Sequence, residues 1–179
     1  MTAPAGYLAQ PDSPSRGGVL VLHAWWGLNP DIRQVCDQLA GEGFVALAPD
    51  LFGGQTATTE EGALKLVQEH QSKEAEITAQ IQASAEYLEG LTGSRSIGVL
   101  GYSFGAYYAL SYSNLAPDRV RGVVIYYGTG VEDFSESQAS YLVHFAEQDD
   151  FEPQEAVDSL SAALAKASRE RYPKNSSDS

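Results

Sequence analysis

Gly101-Tyr102-Ser103-Phe104-Gly105 decides how this chain is read. The five residues stand between an apolar run, Ile97–Leu100, and a helix-forming stretch, Gly105–Asn114. The pattern is G-x-S-x-G at a strand-to-helix turn. Such a turn crowds the positions two before and two after its apex, so glycine is needed at both. The apex serine is pushed into a strained, exposed position at a helix N-terminus, where free N–H groups and the helix dipole favour negative charge. Ser103 is therefore the candidate nucleophile, and the Phe104 N–H is an expected donor to a developing oxyanion. The bland alternative is a glycine-rich turn with an incidental serine.

Working outward, short apolar runs alternate with helical spacing. Val19–Leu22 follows Gly17-Gly18 and reads as a strand covered on both faces. Asn29-Pro30-Asp31 opens a helix whose Ile32, Val35, Cys36 and Leu39 share one face, with Gly41 and Gly43 to stop it. Phe44–Ala48, Val120–Tyr127 and Tyr141–Phe145 are further strands, and Tyr7–Ala9 marks an edge strand. Helices are expected over Glu60–Gln71, around Ile77–Leu88, and across Glu155–Ala167. Arg169–Tyr172 reads as a short last strand. This alternation predicts an α/β fold, a mostly parallel sheet with helices on both faces. One domain over residues 1–173 and a polar tail over 174–179 are expected. Ligands in such sheets sit beyond the carboxyl ends of the strands.

Composition narrows the partners. The chain has 179 residues, 11 Lys and Arg against 24 Asp and Glu, and a net charge of −13. That balance argues against nucleic acid and anionic membrane, and favours a neutral or cationic ligand. No run is long and apolar enough to span a bilayer. A single cysteine excludes an internal disulfide framework and a cysteine-based zinc site. No secretory signal is visible at the start, so the cytoplasm is the expected location.

Two more loops sit at strand ends. His23-Ala24-Trp25-Trp26-Gly27 follows the first parallel strand, and the Trp25 N–H is the expected second oxyanion donor. Trp26 and Tyr102 are expected to wall the pocket, although the indoles could equally serve as packing over the sheet end. Glu147-Gln148-Asp149-Asp150 follows a later strand. An acid there fits the chain order Ser, Asp, His, so Asp149 is the candidate triad acid; at a strand end it could instead simply form a turn.

The chain resembles the dienelactone hydrolase family of α/β-hydrolases. Val19 through Asn29, Ala48-Pro49-Asp50-Leu51-Phe52-Gly53-Gly54, Gly101–Gly105, and Gln148-Asp149 with Phe151 and Pro153 carry the likeness in order, over roughly residues 6–173. The resemblance implies hydrolysis of small-molecule esters or lactones, with Ser103 as nucleophile, Asp149 as acid, and no metal or organic cofactor. It also shows departures. Serine stands where founding members have cysteine, and Ala24 stands where the family often has Glu. The family's histidine would fall at Ser177. The three histidines present, His23, His70 and His144, all precede Asp149. His23, at the mouth of the site, is the candidate substitute base. His144 reads as structural and deep in the sheet, and His70 as solvated.

Three readings follow: a working esterase or lactonase, a pseudoenzyme kept as a binding module, and a truncated product of a normal hydrolase. The fold is expected to be shortened at both ends. The sheet edge so bared predicts a homodimer.

Overall fold

A computed structural model describes residues 2–131, 133–147, 149 and 151–171, with the side chains of 169–171 excepted. The expected tail at 174–179, Ser177 and Gln148 lie outside the described residues.

Among the described residues the apolar runs form six strands: β1 (Gly6–Ala9), β2 (Gly18–Leu22), β3 (Val45–Pro49), β4 (Ile97–Tyr102), β5 (Val120–Tyr126) and β6 (Ser140–His144). They hydrogen-bond in the order β1-β3-β2-β4-β5-β6. Every pairing is parallel except β1 with β3, which is antiparallel. The helices are α1 (Pro30–Gly41), α2 (Glu60–His70), α3 (Glu74–Thr92), α4 (Phe104–Leu115) and α5 (Gln154–Arg171). Asn29 caps α1 by accepting the Ile32 N–H at 3.1 Å, with Pro30 in the first turn, as the sequence predicts.

α1, α3 and α4 each bury one stripe against the sheet. Ile32 and Cys36 of α1 pack on Val21, Ala46 and Ala48. On the opposite face Ile77, Ile81, Ala85 and Leu88 of α3, with Ala106, Ala109 and Leu110 of α4, meet Leu20, Leu22, Leu47 and Val99. Leu160 and Ala167 of α5 join this second layer. Burial pushes the Cys36 thiol up to about 12, with Asp37 adding to the effect, so it is a core side chain and no nucleophile. No helix is long and apolar enough to cross a membrane among the described residues.

Three expectations change. Arg169–Arg171, expected to begin a last strand, continue α5. Their pattern suits either period, and the preceding helical turns decide it. His70, expected in water, is buried, donates from Nδ1 to the Leu66 carbonyl at 2.8 Å, and packs on Phe52. His144, expected deep in the sheet, is exposed. It ends β6, which among the described residues has only β5 as a strand neighbour, and stacks on Tyr126 at 4.6 Å.

Candidate active site

The turn from β4 to α4 has the sterics its glycines imply. Ser103 sits at φ 48°, in the left-handed region that L-residues avoid. A Cβ on Gly105 would lie 2.2 Å from the Leu22 carbonyl oxygen, and one on Gly101 would lie 2.6 Å from that of Gly105. The helix start is thus pressed directly onto the end of β2. Strain of this kind costs roughly 1–3 kcal/mol and persists only where the surroundings impose it. Here the Ser103 N–H donates to the Tyr126 carbonyl at 3.0 Å, and its own carbonyl accepts from Ala106 at 2.8 Å. The next strand closes the far side. Tyr127 has φ 38°, and a Cβ on Gly128 would meet Ala106 at 2.5 Å and the Ser103 oxygen at 2.9 Å.

A cavity of about 200 Å³ opens above this turn, at the carboxyl ends of the strands. Ser103, Asp149, Trp25 and Trp26 all line it. Trp25 packs edge-on against both Trp26 and Phe151, each at 5.4 Å. The Phe104 ring turns the other way, onto Phe52 and Tyr108, so only its backbone faces the turn. Among the described residues, neither the Trp25 nor the Phe104 N–H has an intramolecular acceptor. Asp149 Oδ1 accepts from the Phe151 N–H at 2.9 Å and the Glu152 N–H at 3.2 Å, so it also forms the turn that its position suggests.

Tyr102, expected in this pocket, lines a neighbouring hollow instead. The pleat points it to the α1 side, where it stacks on Tyr126 at 5.2 Å. Burial, with Tyr126 beside it, pushes its phenol up to about 12.

His23 is not at the mouth of the cavity. It is fully buried, and both ring nitrogens are engaged. Nδ1 donates to the Ala24 carbonyl at 2.8 Å, while Nε2 accepts the Leu51 N–H at 3.2 Å. These partners specify the neutral tautomer, and burial pushes the imidazole further below its usual range. The ring ties the loop after β3 to the end of β2, and this geometry gives Ser103 no base. None of the three histidines lines the cavity.

Sequence reasoning missed Tyr127 and Glu152. Both line the cavity, and Glu152 accepts a hydrogen bond from Thr129 Oγ1 at 2.7 Å. Tyr127 had a signal, since it precedes a glycine at a strand end. The left-handed conformation that turns it toward the site had none. Among the described residues, no group of three or more His, Cys, Asp or Glu could hold a metal ion. A larger hollow of about 350 Å³ lies near the amino ends of β4 and β5, lined by Arg95 and Arg119. Its Arg119 already pairs with Glu89 at 2.8 Å.

Known proteins share the sequence pattern and the fold. The sequence model described as the dienelactone hydrolase family matches residues 5–173. A protein of Aquifex aeolicus (strain VF5) is 36% identical over 129 residues, covering 69% of this chain and 55% of its own length. Carboxymethylenebutenolidase 1 of Cupriavidus pinatubonensis is 29% identical over 136 residues, covering 70% and 56%. This chain therefore spans little more than half the length of these relatives. The crystal structure of the dienelactone hydrolase-like promiscuous phosphotriesterase P91, from metagenomic libraries, superposes with a TM-score of 0.74. It is 20% identical, over 88% of this chain and 68% of that one, and so speaks to the fold. With the glycine-flanked turn, the sheet order and a match that runs nearly end to end, the chain belongs to the dienelactone hydrolase family.

Proposed function

We propose that this site attacks the carbonyl of small-molecule esters or lactones through Ser103, with Asp149 as its acid. The observation that carries the reading is the strained apex at Ser103, held between Gly101 and Gly105 and opening into one cavity with Asp149. In the proposed step the Ser103 oxygen bonds to the carbonyl carbon and its proton passes to a water molecule in the cavity. The carbonyl π pair moves to oxygen, where the Trp25 and Phe104 N–H groups receive it. Collapse expels the alkoxide, which takes up that proton, and water then releases the acyl group by the same route.

The base is the weak element. No imidazole lines the cavity, and a serine hydroxyl is far less acidic than a thiol, so Ser103 depends on a base more than cysteine would. Without a triad histidine, turnover falls by about 10⁶, while the oxyanion hole and binding retain some 10³–10⁴ over water. The same observation favours a second reading, a pocket that binds without turning over. A reducing compartment such as the cytoplasm suits the buried lone thiol and forms part of the proposal.

A fluorophosphonate probe tests this. Slow labelling of Ser103, lost in Ser103→Ala, is the expected result. Labelling that persists in Ser103→Ala would remove Ser103 as nucleophile, and fast stoichiometric labelling would show that a base acts on it after all.

A further inference from the structure

We infer that the substrate is an ester whose end remote from the reacting carbonyl is a neutral or cationic aromatic group, seated in a second hollow behind Ala24. The inference rests on the reading of Ser103 as the reacting residue.

The first observation is size. The Ser103 cavity, at about 200 Å³, is smaller than the roughly 300 Å³ at which ligand sites begin. A second hollow of about 250 Å³ shares three of its walls: Ala24, Trp26 and Tyr127. Ile32 and Val35 of α1, with Tyr102 of β4, supply the rest of an apolar lining. Ala24 lines both and is buried, with only a methyl for a side chain, so a longer one there would crowd the walls the two hollows share. Joined, the two hollows reach the size of an ordinary small-molecule site.

The second observation is charge. Asp149 and Glu152 line the first hollow, and Asp31 stands exposed beside the second. No lysine or arginine is among the described residues that line either one. A ligand carboxylate would therefore meet three like charges with no counter-ion, on a chain that already carries −13. A neutral ring would lose nothing there. A quaternary or protonated amine would gain from the carboxylates and from the aromatic lining that Trp26, Tyr102 and Tyr127 supply.

The chain supplies its own reporter, because its only two tryptophans both line the Ser103 cavity. Fluorescence is titrated with phenyltrimethylammonium, benzyl alcohol and benzoate, on the wild-type chain and on Ser103→Ala, at about 0.15 M salt. Saturable quenching by the ammonium and the alcohol is expected in both proteins, with benzoate at least about tenfold weaker. Ala24→Leu should weaken the first two ligands by about tenfold or more. Asp31→Asn, an exposed change that spares the core, should narrow the ammonium-to-benzoate ratio by about threefold. The surface control Asp12→Asn, which alters net charge equally, should leave that ratio alone. Benzoate binding as tightly as the ammonium would overturn the inference, and so would absence of saturable quenching or equal ratios in Asp31→Asn and Asp12→Asn. Phosphonate labelling of Ser103 plays no part in this readout. Failure of the hydrolase reading would therefore appear there alone, and failure of the binding order here alone.

Discussion

Replacing Gly105 by alanine should be among the most damaging single-methyl changes in this chain. The added Cβ would lie 2.2 Å from the Leu22 carbonyl oxygen, 2.5 Å from its carbon and 2.7 Å from the His23 oxygen. All three are backbone atoms, and real Cβ contacts essentially never fall below 3.0 Å. Relief therefore requires α4 to withdraw from the end of β2 by most of an ångström. Leu22 is fully buried, as are Ala106, Ala109 and Leu110 of that helix, so the movement opens gaps in the main core. Overpacking usually costs about 1–3 kcal/mol, and a clash with unyielding backbone belongs above that range, at roughly 4 kcal/mol. Against a typical domain stability of about 5–15 kcal/mol, this is a large share. In urea, with m near 2 kcal/mol/M, the midpoint should fall by about 2 M, and the melting temperature should drop by roughly 12 °C. Gly41→Ala is the control. Gly41 ends α1, and a methyl added there would have nothing within 4 Å, so alanine should stabilise by about 0.5–1 kcal/mol through helix propensity. A Gly105→Ala midpoint within about 0.3 M of wild type would refute the claim that backbone contact dictates glycine at this turn.

Two further outcomes are expected. Burial holds the His23 imidazole below its usual range, so the unfolded chain binds this proton more readily than the folded one. The stabilisation is present above about pH 6.5 and is lost as pH falls from there through the lower folded value, at up to about 1.4 kcal/mol per pH unit. Urea titrations at several pH values should show that slope, and His23→Gln should reduce it; an unchanged slope in the variant would count against the buried neutral ring. We also propose that β6, with Leu142 54% exposed and, among the described residues, only β5 as a strand neighbour, pairs with a second copy of the chain to form a homodimer. Light scattering at tens of micromolar should give twice the chain mass, and a monomer mass would sink this proposal.

The features legible in the sequence are those set by local sterics and by periodicity. Gly101 announces the turn because a Cβ there would meet the backbone of Gly105 and Ala106, four and five residues on, whereas Gly105 is required by the backbone of Leu22 and His23 from a distant strand end. Asn29-Pro30 marks the start of α1 because capping needs only the next three residues. The alternation of apolar runs with helical stripes implies a mostly parallel sheet, since short connections leave few other ways to bury both.

What only the tertiary structure decides is where a side chain points and what it meets there. His23 looks like a group at a site's mouth because it ends a strand. The Leu51 amide, 28 residues away, captures its second nitrogen and makes it structural. His70 is buried because α2 lies against Phe52, and His144 is exposed because β6 has no second strand neighbour among the described residues. Tyr102 shares the five-residue turn with Ser103, yet the pleat sends the two into different hollows. These outcomes depend on contacts between residues distant in the chain, which periodicity and local conformational preference do not encode. The sequence alone therefore determines the turn that carries Ser103, and packing determines which groups stand close enough to act on it.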